Sequence, residues 1–359
     1  MRYPPPSKPP AATIIAGISS PWRPWSHHLR RSELTVINDQ PKLTTVATLP
    51  EHYFLENIVV RVDGSMLVTA LNRRELWWVP APADDATIGP VMVDRMEGLP
   101  MSIVEAEPDV FYVSSMAPAA LDRFDLRGWV PGAPVNRTRV LTFESHAAGL
   151  NGSCLLAPGV ILIADCAAGL IWRVDLTEDG LAGTAKVWLR HESMAPGTDP
   201  ERAVHLTQTF SIPYPGVNGV RAAEKSHRVY YTGSWEQVLA RVAVDPVTHE
   251  PASDPEVVAK GIHAVDDFCI DENAGVAYIT THIDNTLHRV PLDPAAPAAE
   301  AAVVVGDPID HRFLGPSSAA WGRAPGDYGR VAYFSTDGGH TPPNPAGIIK
   351  PASVVRIEF

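Results

Sequence analysis

Leu150-Asn151-Gly152-Ser153-Cys154-Leu155-Leu156 is followed by Val160-Ile161-Leu162-Ile163-Ala164-Asp165 and then by Gly169-Leu170-Ile171-Trp172-Arg173-Val174-Asp175. Each piece is short, rich in β-branched or aromatic residues, and bounded by Gly, Pro, Asn or Asp. That is strand chemistry, without the 3.6-residue period of an amphipathic helix. The pattern of polar start, apolar strand, turn, alternating strand, turn and third strand recurs from Leu55 to Pro80, from Val217 to Val242 and from Val265 to Val290. Looser copies run from Leu99 to Ser114 and from Pro316 to Ser335. The starting residues Glu56, Ser102, Asn151, Asn218, Asp266 and Ser317 are separated by 46, 49, 67, 48 and 51 residues. Blade-sized repeats of this length predict an all-β fold, a six-bladed β-propeller with a site in its central channel.

The long third interval predicts a loop-rich insertion over Leu181 to Gln208, which contains Pro196, Gly197 and Pro200. The final strand, Ser353 to Phe359, is expected to close the ring against an N-terminal strand such as Lys42 to Leu49, removing an exposed sheet edge. Residues 1–41 read as an irregular N-terminal lead-in and 42–359 as one propeller domain.

Composition narrows the function. The chain has 29 Lys+Arg against 41 Asp+Glu, a formal net charge of -12, and no basic run to hold a phosphate backbone, so nucleic acid is not an expected partner. No stretch reaches the length of a membrane span, and Ala11 to Ile18 is too interrupted for a secretory core, so no membrane association is expected. Three cysteines, Cys154, Cys166 and Cys269, form no metal or disulfide pattern and fit cytoplasmic residence. Nothing calls for an obligate protein partner, and the expected partner is a small molecule. No nucleophile elbow, phosphate loop, dinucleotide fingerprint or His-Glu-x-x-His occurs, so no organic cofactor is expected.

In a propeller, the starts of the innermost strands converge at one rim of the channel. Glu56, Asn151, Asn218 and Asp266 there make a hard all-oxygen set suited to Ca²⁺ or Mg²⁺. The competing reading of Asn151-Gly152 and Asn218-Gly219 is ordinary turn chemistry. Cys154 and Cys269, each three residues after a start, read as small core residues. Loops between second and third strands return to the same rim and supply Arg73, Met116, Trp235, His282, Asp284 and His340. His282 and His340 are candidate acids or bases if set against a carboxylate such as Asp284 or Asp337. Trp235, with Tyr214 and Trp321, would wall a flat ligand.

These residues resemble the senescence-marker-protein/gluconolactonase/regucalcin family of six-bladed propellers over nearly the whole chain from about Lys42. The resemblance implies one divalent cation held by Glu56, Asn151, Asn218 and Asp266, with Asp266 as general base in a hydrolase. Asn57-Ile58 replaces the family's Gly-Pro, and Asp267 replaces its last Gly. A fungal branch resembling this family acts in natural-product biosynthesis. The leading expectation is therefore a cofactor-independent cyclase of the hetero-Diels–Alderase type acting at the channel mouth. The alternatives are a divalent-metal-dependent lactonase or esterase, and a non-catalytic binding propeller.

Overall fold

The computed structural model describes residues 41–83, 88–143, 147, 149–293, 302–307, 312–341 and 347–359. The expected lead-in, 1–41, lies outside the described residues apart from Pro41. Among the described residues the elements are strands and three short 3-10 turns, without an α-helix. Six antiparallel sheets of four strands succeed one another along the chain. Their inner strands, in blades 1 to 6, are Leu55–Val60, Leu99–Glu107, Leu150–Ala157, Val217–Ala223, Val265–Asp271 and Pro316–Trp321. Each lies against the inner strand of the next blade, and the sixth lies against the first.

Closure follows the expectation. The sixth sheet takes Lys42–Thr48 as its outer strand, paired with Ser353–Glu358. Two distant pieces of chain are thereby hydrogen-bonded in one sheet, and no free edge is left at the seam. Apolar residues fill the spaces between neighbouring sheets. Leu67 and Leu76 of blade 1 meet Phe111 and Phe124 of blade 2, while Leu162 and Ile171 of blade 3 meet Val229 and Tyr231 of blade 4. These side chains are almost completely buried, so the low charged fraction reflects sheets sandwiched on both faces.

The predicted insertion begins later than its sequence suggested. Gly183–Arg190 is the fourth strand of blade 3, paired with Leu170–Leu176. Five of its eight residues are exposed and only Trp188 is buried, unlike the inner strands. The insertion proper carries 3-10 turns at Glu192–Met194 and Pro200–Arg202, then a small hairpin of Val204–His205 with Ser211–Ile212.

One local irregularity positions the site. Every inner strand breaks register near its start: between Leu55 and Ile58, Pro100 and Ser102, Leu150 and Ser153, Val217 and Val220, Val265 and Phe268, and Pro316 and Ser318. A bulge re-aims the residues it contains and twists the strand locally. Neighbouring blades tie these bulges down through hydroxyls on their second strands. Thr69 donates to the Met101 carbonyl (3.5 Å), Thr232 to Asp266 (2.6 Å), Thr280 to Ser317 (3.0 Å), and Ser335 to Glu56 (3.5 Å). Thr69 and Thr232 also accept the bulge N–H groups of Asn57 and Gly219 in their own blades. Blade 3 has Ala164 at this place and lacks the hydroxyl.

Candidate active site in the channel

The bulges give the channel two successive rings of side chains. Glu56, Met101, Asn151, Asn218, Asp266 and Ser317 occupy the first position. Asn57, Ser102, Gly152, Gly219, Asp267 and Ser318 occupy the second. By strand register, Ser102 belongs to the second ring, and Met101 stands where blade 2 would match Glu56. The Asn-Gly pairs lie inside strands and not in turns. Glycine is needed at 219 for close packing: a Cβ there would fall 2.3 Å from Asp267 Oδ1.

Glu56, Asn151, Asn218 and Asp266 are all buried, with exposures between 5% and 8%, although each is polar or charged. Burial, reinforced by the carboxylates of Asp267 and Asp337, pushes the Glu56 carboxyl from its usual 4.5 up to about 8. Burial and the Glu56 charge likewise raise Asp266 well above the usual carboxylate range, against the pull of His282 and Asn218. Two like charges held together out of water are costly unless a proton or a cation neutralises them. The amides fit a cation as well. Asn218 Nδ2 donates to Ser234 Oγ (3.2 Å), while its buried Oδ1 has no hydrogen-bond partner among the described residues. Asn151 lies against the Cys166 thiol, whose own pKa burial drives up beyond any nucleophilic role at neutral pH. A hard cation would be held by Glu56, Asp266 and the two amide oxygens.

The second ring forms a closed hydrogen-bond network. Asp267 Oδ2 accepts from Asn57 Nδ2 (3.0 Å), from Ser318 Oγ (2.8 Å) and from the Arg221 guanidinium. Asn57 and Asp267, two of the three positions at which the sequence departs from the motifs it resembles, are therefore bonded to each other. The sequence shows these departures but not the pairing of Asn57 with Asp267, for which matched change at one repeat position was the available signal.

Beside the carboxylates stands His282, its ring stacked on Phe54 at 4.9 Å and its Nε2 3.3 Å from Asp337 Oδ2. That approach is an ion-pair contact and not an aligned hydrogen bond. Burial would lower the imidazole pKa, but the charges of Asp337 and Asp266 outweigh it and hold His282 above its usual value. Asp337 is fully buried and fixed by the N–H groups of Gly339 (2.6 Å) and Thr341 (2.9 Å). His340 Nδ1 donates to the Asp337 carbonyl (3.0 Å) and lies 3.5 Å from its carboxylate. Both candidate histidines thus converge on Asp337. Asp284 lies elsewhere, paired with the half-exposed His263 at 2.9 Å.

The remaining rim candidates separate. Met116 is buried with Phe54, Leu71, Leu99, Met101 and Cys166 beneath Ile212 of the insertion hairpin, so the insertion caps part of this mouth with apolar side chains. Arg73 is exposed and lies 4.9 Å over the Tyr53 ring. Tyr214 and Trp235 are neighbours at 6.1 Å, but Arg202 covers both rings at 4.4 and 5.1 Å. Trp321 does not join them. It follows the inward run of blade 6 to the opposite end of the channel, where Nε1 donates to the Ile270 carbonyl (2.7 Å).

Six sheets in cyclic order with bulged polar rings identify the architecture among known structures. The fold is that of the regucalcin and gluconolactonase propellers. A luciferin-regenerating enzyme superposes with a TM-score of 0.62 at 14% identity, over 89% of this chain and 95% of that one. The calcium-binding protein regucalcin from Agrobacterium tumefaciens gives 0.59 at 14% identity, over 89% and 95%. A protein assigned as a gluconolactonase gives 0.57 at 14% identity, over 89% and 92%. No protein-family model and no curated protein sequence matches the chain. At this identity the regucalcin-type likeness concerns the fold. Among the described residues, no helix is long and apolar enough to cross a membrane.

Proposed function

We propose that the protein is a divalent-cation-dependent hydrolase of a small cyclic ester, with Ca²⁺ or Mg²⁺ held by Glu56, Asn151, Asn218 and Asp266. One observation carries this reading: two buried carboxylates, both held above the usual carboxylate range chiefly by burial, stand with an amide oxygen left without a partner. A bound cation would supply Lewis-acid polarisation of the ester carbonyl. In this reading Asp266 accepts the proton of an attacking water. His282, braced by Asp337 and Phe54 and raised above its usual pKa, holds a proton for the leaving oxygen in the same reading. Support comes also from the structural neighbours, one assigned as a gluconolactonase and one described as calcium-binding.

The test is calcium titration together with a panel of aliphatic lactones. Asp266→Ala should lose hydrolysis by about 100-fold or more, the usual weight of a general base, and should weaken cation binding. Full activity in that variant refutes the reading. The apolar cap of Phe54, Met101, Met116 and Ile212 favours one second reading, a cofactor-independent cyclase of the hetero-Diels–Alderase type, whose turnover would survive chelation. A non-catalytic binding ring has no use for buried like-charged carboxylates.

A further inference from the structure

The inner strands continue past the two polar rings. Three residues beyond Glu56 and its equivalents, the register brings Val59, Val104, Cys154, Arg221, Cys269 and Ala320 to one level of the channel. These residues line a cavity of about 640 Å³ at the mouth opposite the carboxylates. That volume falls within the range of small-molecule sites. Its inner end is closed by the Asn57, Asp267, Arg221 and Ser318 network. One wall is aromatic: Trp321 and Tyr328 lie 5.7 Å apart, both tied by hydrogen bonds to the Ile270 carbonyl. Tied rings keep their faces in place and lose little freedom when a flat molecule lies against them.

Two polar groups mark the floor. Ser153 is 6% exposed, and its hydroxyl has no hydrogen-bond partner among the described residues. The corresponding positions in other blades, Ile58, Ile103, Val220, Phe268 and Ala319, are all apolar, so this hydroxyl is not part of the repeat's packing. Arg221 is part-exposed, and it bonds to the Ser153 and Val220 carbonyls and to Asp267. The Asp267 carboxylate neutralises its charge. Around the rim, Glu105 is paired with Arg323, and Glu224 and Glu272 outnumber Lys225, which disfavours an anion.

We propose that this far mouth is a second ligand site, for a neutral, mainly aromatic molecule carrying one hydrogen-bonding group, and that it works independently of the carboxylate cluster. The aromatic wall and the apolar level of the channel take the ring system, and the Ser153 hydroxyl and Arg221 take the polar group. The two mouths share only the intervening network.

The neutral fluorescent probe N-phenyl-1-naphthylamine tests this on the full chain. One probe should bind saturably per chain. Ala320→Phe and Val59→Phe, which fill the cavity from different blades, should each weaken binding by about tenfold or more. Glu56→Gln and added calcium chloride should leave binding unchanged, and the anionic 8-anilino-1-naphthalenesulfonate should bind more weakly. The proposal is overturned if binding does not saturate, or if both filled variants melt like wild type and still bind. Displacement by calcium, or equal binding of the anion, overturns it as well.

Discussion

Glu56→Gln tests the electrostatics of the channel most directly. A folded-state carboxyl near 8, against 4.5 in the unfolded chain, means that the native protein holds a proton that the unfolded chain releases between those values. Stability therefore falls as pH rises through that window and levels off above about 8. At 1.36 kcal/mol per unit, the opposition to folding is about 3 kcal/mol at pH 7 and approaches 5 kcal/mol above pH 8. Glutamine keeps the size and removes the charge. Without cation, Glu56→Gln should therefore melt above wild type at pH 8.5 by about 7 °C, with a smaller gap at pH 6.

Added calcium should reverse the order. In wild type, a cation replaces the Glu56 proton and any proton on Asp266, so apparent affinity should rise by at least about tenfold per pH unit up to pH 8, whereas Glu56→Gln should show little calcium-induced shift. Circular-dichroism melts at pH 6 and 8.5, with chelator or calcium, give all four comparisons. If Glu56→Gln melts below wild type at pH 8.5 in chelator, or keeps the full calcium shift, the buried Glu56 charge does not oppose folding as described.

Two further outcomes follow from the same geometry. Asp337→Asn removes the main charge that holds His282 up against burial, so the imidazole pKa should fall; proton NMR of the histidine Cε1–H resonances reads this directly, and an unchanged titration contradicts the pairing. Thr232→Val keeps the side-chain shape but deletes the hydroxyl that joins Gly219 N–H to the Asp266 carbonyl, so it should cost about 1–3 kcal/mol in chemical denaturation. The same substitution should also lower calcium affinity, because the Asp266 bulge would lose its anchor to blade 4.

The repeat in the sequence was enough to determine six blades, the closing strand and the convergence of Glu56, Asn151, Asn218 and Asp266. These follow from period-2 alternation and from copies at near-constant spacing, which are local and additive signals. Gly183–Arg190 was missed as a strand because outer strands face solvent and carry little apolar pattern. Only the tertiary structure decided that both histidines turn to Asp337, that Asp284 turns to His263, that Arg202 covers Tyr214 and Trp235, and that Trp321 lies at the far mouth. Those outcomes depend on loop paths and on which side of a bulge a residue falls, and a shift of one residue reverses the direction of a side chain. Linear spacing does not carry that information. The bond between Asn57 and Asp267 spans 210 positions along the chain, and only closure of the ring brings its two ends together.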